Sequence, residues 1–349
     1  MIRPAAIALL ATTALAPAAV RAADAPPAYK VVRTVPLGAP ERWDYVSFDP
    51  ASHRVYVSHG DRIDVVDGHD GKILGQVAGM PGGTHGIAVA TAQGKGYTDD
   101  GKAGEAVAFD LKTFKVLCRI PAKDDADGIV FDGPSGHVFV IDGDSAAVTV
   151  IDPASDKVVK TIEMGGGLEF GVSGGNGKLY VDGAEKKELI RIDTASNAVD
   201  ARWPMPGCTS PHGIAYDAAA HRAFVSCVNK VMTVVNTDTG AVLASLPIGA
   251  GTDSVAFDPK RKLAFSSDGV DGVLSVVRET DPNTFVSAGS IKTQITARTM
   301  GADPATGRLY LLTADIDPNA PVPPGPNGRP GRPKLLPGSL KLLFLDPAD

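Results

Sequence analysis

The sequence has 349 residues, of which 44% are hydrophobic, 6% aromatic and 21% charged. Its 39 glycines and 27 prolines interrupt regular structure so often that they argue against a coiled coil or a long-helix protein. Enough Val, Ile, Leu and Phe remain to build a core, which argues against a disordered chain. The excess of 40 acidic over 34 basic side chains disfavours nucleic acid as a partner, because phosphate binding needs a basic surface.

The first 22 residues have the pattern of a secretory signal peptide. Arg3 gives a positive start, and an Ala-rich apolar run over residues 5–20 leads to a cleavage site after Ala22. This run is too short for a membrane span, and no later segment reaches that length. We therefore expect a protein exported to the periplasm without a membrane anchor. Loss of Arg3 and Arg21 leaves 32 basic and 40 acidic side chains, a formal charge of −8.

An aromatic residue recurs along the chain at intervals of 41 to 45 residues. The seven positions are Tyr56, Tyr97, Phe139, Tyr180, Phe224, Phe265 and Tyr310. Eight residues before them lie the apolar or small residues Phe48, Val89, Phe131, Val172, Tyr216, Phe257 and Ala302. Alternating apolar residues around both positions indicate two strands joined by a turn, and two further strand patterns follow in each repeat. Four short strands in each of seven repeats predict an all-β, seven-bladed β-propeller with antiparallel blades.

The two ends of the chain support a closed ring. Blade seven has only three strand patterns before the C-terminus, whereas a spare strand pattern lies at Tyr29–Val35 near the start of the mature chain. We expect this strand to complete blade seven, because closure removes the open edges of the ring. Residues 23–349 then form a single propeller domain, which we expect to be a monomer.

Two stretches of the chain are similar to a known repeat. The stretch from Ala147 to Asp152, continued by Gly177–Val181, resembles the YVTN repeat, as does the stretch from Pro211 to Ser226. The chain therefore resembles the YVTN-repeat propellers over essentially the whole mature sequence. This resemblance implies an exported protein. The family includes surface, periplasmic and reported nucleic-acid-binding proteins, and related propellers include lactonases and lyases.

Ionisable residues precede most first strands, at the point where the chain enters the central channel. We call this end of the channel the mouth. Its predicted lining is Asp44, His85, Asp127, Leu168, His212, Asp253 and Arg298, with Glu169 next to the one apolar member. We predict that the ionisable members bind a small molecule, a metal ion or a protein partner.

A second set of residues ends the second strands and is expected beside the first set. It consists of His59, Asp100, Asp142, Gly183, Cys227, Asp268 and Thr313. From both sets we select His85, His212, Asp100 and Cys227 as candidate ligands of one divalent ion. Imidazole and carboxylate groups suit zinc, manganese, iron or copper, whereas carboxylates alone suit calcium.

Three functions remain open at this stage. The first is an exported protein that binds a ligand, metal or partner at the mouth. The second is a metal-assisted hydrolase or lyase for a lactone or small ester, in which a histidine acts as general base and Arg298 stabilises an oxyanion. The third is a structural scaffold, in which the polar residues cap backbone groups or line a water-filled tunnel.

The three cysteines leave two alternatives. Cys208 and Cys227 can form a disulfide in an oxidising compartment, or a free Cys227 beside His212 can act as a soft metal ligand. Cys118 lies in an outer strand, where we expect a buried apolar filler.

A Pro- and Gly-rich insertion at residues 315–338 interrupts blade seven. It joins the second and third strands, so we expect it on the same face as the mouth. It is either a partial cover of the mouth or a surface loop.

Overall fold

The structure is a computed structural model and describes residues 26–323 and 331–348. The predicted signal peptide at residues 1–22 lies outside the described residues. Within them, 28 strands form seven four-stranded sheets. Besides two single 3-10 turns (Thr91–Gln93 and Gly101–Ala103), the described chain is strands and loops. No helix among these residues is long and apolar enough to cross a membrane.

The first three complete blades follow one another along the chain after an initial strand. The initial strand is β1 (Tyr29–Pro36). Blade one contains β2 (Val46–Asp49), β3 (Arg54–His59), β4 (Arg62–Asp67) and β5 (Ile73–Ala78). Blade two contains β6 (Ile87–Ala90), β7 (Lys95–Asp100), β8 (Glu105–Asp110) and β9 (Val116–Pro121). Blade three contains β10 (Ala126–Asp132), β11 (His137–Asp142), β12 (Ala147–Asp152) and β13 (Lys157–Glu163).

The remaining blades repeat this order up to the C-terminal strand. Blade four contains β14 (Gly171–Ser173), β15 (Lys178–Gly183), β16 (Glu188–Asp193) and β17 (Ala198–Pro204). Blade five contains β18 (Pro211–Asp217), β19 (Arg222–Cys227), β20 (Val231–Asn236) and β21 (Val242–Pro247). Blade six contains β22 (Thr252–Asp258), β23 (Leu263–Asp268), β24 (Val273–Asp281) and β25 (Thr284–Lys292). Blade seven contains β26 (Thr299–Ala302), β27 (Leu309–Thr313) and β28 (Lys341–Pro347).

The initial strand β1 supplies the fourth strand of blade seven. It pairs with β28 in antiparallel register, so that Val35 lies opposite Leu342. The protein is thus a seven-bladed β-propeller whose last blade is completed by its N-terminal strand. The prediction of the fold class and of this closure is confirmed.

The recurring aromatic residues hold the blades together. All seven are at most 1% exposed, and several stack on an aromatic residue of the neighbouring blade. The rings of Phe224 in blade five and Phe257 in blade six, for example, have centroids 5.1 Å apart. Burial of such large rings between sheets contributes to the apolar stabilisation of the ring of blades.

Irregular pairing at the start of several first strands affects the mouth. The register shifts between Ala126 and Gly128 in blade three and between Pro211 and Gly213 in blade five. Blade six has a similar irregularity between Thr252 and Val255. An extra residue in a strand displaces the side chains beyond it relative to the neighbouring strand.

Candidate functional site

Three side chains from consecutive blades converge at the mouth. They are Glu169 of blade four, His212 of blade five and Asp253 of blade six. Nε2 of His212 lies 3.4 Å from Oε1 of Glu169 and 3.6 Å from Oδ1 of Asp253. One ligand atom from each residue lies within 4.8 Å of the others. We call these three residues the carboxylate–imidazole triad.

Arg298 of blade seven lies next to the triad. Its guanidinium group forms an ion pair with Asp253 and donates a hydrogen bond of 2.6 Å to the carbonyl oxygen of Trp43. It also lies over the indole ring of Trp43, 5.5 Å from the centroid. These contacts fix the guanidinium group between blades six and one.

The mouth contains more acidic than basic groups. Burial, together with the charges of Asp253 and Asp44, raises the pKa of Glu169 to about 9. Burial also raises the pKa values of Asp44 and Asp127. The charge of Asp253 adds to the rise at Asp44, and the charges of Asp44 and Glu169 add to the rise at Asp127. Carboxylates that repel one another in a partly buried site are stabilised by a cation placed between them.

His85 of blade two forms a separate pair with Asp99. Nδ1 of His85 lies 2.6 Å from Oδ2 of Asp99. Oδ1 of Asp99 accepts hydrogen bonds from the backbone N–H groups of His85 and Gly86, at 2.8 and 3.0 Å. Burial alone would lower the pKa of His85, but the bond to Asp99 and the nearby carboxylates raise it to about 9. The imidazole therefore carries a proton at neutral pH and is suited to donate a proton rather than to accept one.

An aromatic contact bridges the channel beneath the ionisable residues. Tyr45 of blade one stacks on Phe170 of blade four, with ring centroids 4.3 Å apart and an interplanar angle of 26°. Blades one and four lie nearly opposite each other in a ring of seven, so this contact spans the channel. We call the pair the aromatic floor of the mouth.

The second predicted set of residues does not line the mouth beside the first. His59 bonds Asp64 and the carbonyl oxygen of Pro40, and Asp142 bonds Thr149. In four blades the side chain that bonds at or near the start of a first strand lies one residue earlier in the second strand. These side chains are Ser58, which bonds the carbonyl oxygen of Thr84, Asp99, which bonds His85, Ser226, which bonds the N–H of Gly213, and Ser267, which bonds Ser254. The sequence sets the expected neighbours to within about one residue of register, and in these blades the bonded side chain is offset by one residue.

Two of the four candidate metal ligands are directed elsewhere. Cys227 forms a disulfide with Cys208, so its sulfur is not a free thiolate ligand. The carboxylate of Asp100 accepts hydrogen bonds from the backbone N–H of Gly82 and from Arg119, away from the channel. Of the other two candidates, His212 belongs to the triad, whereas His85 is paired with Asp99 and lies outside it. The third cysteine, Cys118, is free and only partly buried.

The described parts of the blade-seven insertion pair with each other near the mouth. Ile316 and Leu335 form an isolated bridge, and the N–H of Gly338 bonds the carboxylate of Glu41. The positive charge of Arg332 acts on Asp44 and opposes the rise in the pKa of that residue. Arg332 thus places a basic charge of the insertion close to the first blade's carboxylate.

Sequence reasoning did not select Asp99, Tyr45 or Phe170. The residue that follows the lining residue is small in five blades, namely Gly86, Gly128, Gly213, Ser254 and Thr299. In blade one it is the aromatic Tyr45, and in blade four, where Glu169 follows Leu168, the aromatic Phe170 comes one position later. These exceptions were the available signal for the aromatic floor. The signal for Asp99 was its separation of two residues from Tyr97, the period of side chains on one face of a strand.

Comparisons with known proteins support the fold only. No protein-family profile matches the chain, and no curated protein matches it. The chain is similar in structure to hydrazine synthase of Kuenenia stuttgartiensis, with a TM-score of 0.67, 16% identity and coverage of 76% of this chain and 91% of that one. It is also similar to U3-55K, with a TM-score of 0.73, 11% identity and coverage of 91% and 99%.

Proposed function

We propose that the protein binds one divalent transition-metal ion at the mouth, through Glu169, His212 and Asp253. The observation that carries this proposal is the convergence of three ligand atoms within 4.8 Å of one another. One imidazole and two carboxylates form a set that suits zinc, manganese or iron better than calcium, which prefers oxygen ligands alone.

The electrostatics of the mouth support a cation at this position. An ion bound to Glu169 and Asp253 offsets the repulsion that raises the pKa of Glu169. With three protein ligands, a bound ion would retain the capacity to bind a small molecule as well. The side chains of Glu169 and His212 are 23% and 26% exposed, so an ion and a small ligand can reach them from solvent.

We further propose that the protein is exported and is a member of the YVTN-repeat propellers. The disulfide between Cys208 and Cys227 supports export, because such bonds persist in oxidising compartments. The seven-bladed fold and the repeat pattern support the family.

The test is elemental analysis of protein that was exported to a periplasm and purified without chelators. We expect about one transition-metal ion per chain, lost in His212→Ala, because one ligand of three is removed. The matched control is His221→Ala in the same blade, since His221 lies at the other end of the blade and pairs with Asp238. His85→Ala should also retain the metal, because His85 lies outside the triad. A metal-free native protein, or equal metal in His212→Ala, would contradict the proposal.

A second candidate is a metal-assisted hydrolase or lyase acting on a lactone or small ester. The observation in its favour is the His85–Asp99 pair, which holds a protonated imidazole at the same mouth as the triad. His85 would donate its proton to a leaving oxygen. Turnover of a lactone and ester panel by the metal-loaded protein, abolished in His85→Gln, supports this candidate. Metal binding without turnover on the panel argues for a binding protein.

A further inference from the structure

A cavity of about 430 Å³ lies at the outer edge of the propeller, between blades six and seven. On the side of blade six it is lined by the end of β25 and the two residues that follow it, and on the side of blade seven by β28 and β1. None of its lining residues belongs to the mouth. Its volume falls within the range of small-molecule sites. We call it the edge cavity.

The strand register gives the edge cavity two different ends. Val31 of β1 lies opposite Leu345 of β28, and Thr34 lies opposite Leu343. Lys341 begins β28, four residues or about 13 Å before Leu345. All five residues line the cavity. The cavity therefore runs along β28 from a basic end at Lys341 to an apolar end at Leu345 and Val31.

The basic end has a surplus of positive charge. Lys341 forms an ion pair with Asp315, with Nζ and Oδ1 2.5 Å apart. Lys292 is exposed and makes no ion pair or hydrogen bond within residues 26–323 and 331–348. No acidic side chain of the described residues lines the cavity. The ammonium group of Lys292 is therefore uncompensated, and an anion bound beside it would be stabilised.

Thr293 supplies a second, independent sign of a missing partner at the same end. It follows Lys292 in the chain and lines the cavity as well. Its hydroxyl oxygen is buried and has no hydrogen-bond partner in the part of the chain that the structure describes. A buried hydroxyl group without a partner carries a free-energy cost, which a bound acceptor removes.

The apolar end exposes side chains that a ligand could cover. Leu343 and Leu345 are 7% and 2% exposed, whereas Val31 is 52% exposed. The register of β1 against β28 shifts between Val31 and Arg33, so the strand is irregular where it borders the cavity. An apolar group that lies along these three side chains gains from removal of apolar surface from water.

We propose that the edge cavity binds an unbranched, medium-chain carboxylate. The carboxylate accepts hydrogen bonds from Lys292 and Thr293, and the alkyl chain lies along Leu343 towards Leu345 and Val31. This proposal does not rest on the metal, because the cavity shares no residue with the triad. The ligand contacts both blade six and the closing strand β1, so its binding should raise the melting temperature of the protein.

The experiment is calorimetric titration at neutral pH with octanoate, octylammonium and acetate, each below the concentration at which it forms micelles. We expect octanoate to bind at a single site. Octylammonium has a similar chain and the opposite charge, so its affinity should be at least about tenfold lower. Acetate lacks the chain and should show no detectable binding, because it buries almost no apolar surface.

Three variants locate the site. Lys292→Met keeps an unbranched side chain and removes the charge, so the affinity for octanoate should fall about fivefold, as expected for an exposed ion pair. Thr293→Val removes only the hydroxyl and should weaken octanoate binding without lowering the melting temperature of the free protein. Lys260→Met is the matched control, because Lys260 is exposed in the turn between β22 and β23 of the same blade. It should bind octanoate like the native protein.

The outcomes separate this proposal from the metal site. Absence of octanoate binding, equal affinity for octylammonium, or native affinity in both Lys292→Met and Thr293→Val would overturn the carboxylate site. Octanoate should also shift the NMR methyl signals of Val31 and Leu343, and shifts confined to other residues would overturn it too. Chelation should leave the affinity for octanoate unchanged. A metal-free protein that binds octanoate would support this proposal and contradict the proposed function.

Discussion

Blades two and four place an aspartate at the same position but in different surroundings. Asp99 and Asp182 both lie two residues after the buried aromatic of the second strand, and both are fully buried. Asp99 bonds His85 and two backbone N–H groups, and burial raises its pKa to only about 6. Both oxygens of Asp182 are unpartnered, and burial raises its pKa well above the usual value.

The difference shows that partners, rather than burial alone, determine the protonation state of a buried acid. It also shows that an aspartate at this position is not needed for a blade to fold. The equivalent positions of blades three and seven hold Ile141 and Leu312, so a blade folds with an apolar residue there. Asp99 is held at the mouth by its hydrogen bonds to His85 and Gly86. Asp182 has no hydrogen-bond partner, and its charge raises the pKa of Glu169.

The largest expected effect comes from breaking the blade-two pair. Asp99→Leu leaves a protonated imidazole and two backbone donors without their acceptor, and we expect a loss of about 3–5 kcal/mol in the free energy of unfolding. Urea denaturation at pH 7 measures it. Asp99→Asn keeps an acceptor oxygen and should lose less. A loss below about 1 kcal/mol in Asp99→Leu would mean that the pair contributes little to stability.

The same substitution in blade four should raise the free energy of unfolding rather than lower it. Asp182→Leu replaces an unpartnered carboxyl by the residue type found in blade seven, and we expect a gain of about 2 kcal/mol at neutral pH. Urea denaturation beside Asp99→Leu provides the matched comparison. Destabilisation by Asp182→Leu would show that the carboxyl has a partner essential to the fold.

The gain from Asp182→Leu should increase with pH. The folded state raises the pKa of Asp182, so the stability that its protonated form contributes is complete below the unfolded pKa of about 3.9 and is lost as the pH rises towards the folded value. The slope is at most about 1.4 kcal/mol per pH unit. Urea denaturation of both proteins at about pH 5, 6.5 and 8 tests whether the stability difference increases with pH. A difference independent of pH would mean that Asp182 does not titrate in this range.

The smallest effect concerns the protonation of His85. Asp99→Asn removes the negative charge beside Nδ1, so the pKa of His85 should fall from about 9 by about 1–2 units. A pH titration followed by NMR of the imidazole signals measures the change. An unchanged pKa of His85 would assign its elevation to the other carboxylates of the mouth.

The sequence predicted the seven blades because every blade buries an aromatic residue at a nearly constant interval. It also predicted closure by the N-terminal strand, because blade seven lacked a strand of its own. It failed on the pairs at the mouth. A bulge at the start of a first strand, such as that near Asp127, changes which side chains are neighbours by one residue, and a strand pattern does not reveal a bulge.

The repeat pattern does not predict side-chain contacts between blades on opposite sides of the channel. Tyr45 and Phe170 are 125 positions apart and belong to blades that share no interface, so neither periodicity nor register relates them. The sequence placed Glu169, His212 and Asp253 at the mouth but did not group them as ligands of one ion. Blade four has Leu168 at the aligned position, and Glu169 reaches the mouth from the next one.

The aromatic floor has a kinetic consequence. Tyr45 and Phe170 meet across the channel. If their stacked rings close it, anything bound at the mouth arrives and departs through one opening. A propeller with a through channel can admit a molecule at one end and release another at the opposite end. Here incoming and outgoing molecules would use the same passage in turn, and a macromolecule docked over that face would stop exchange in both directions at once.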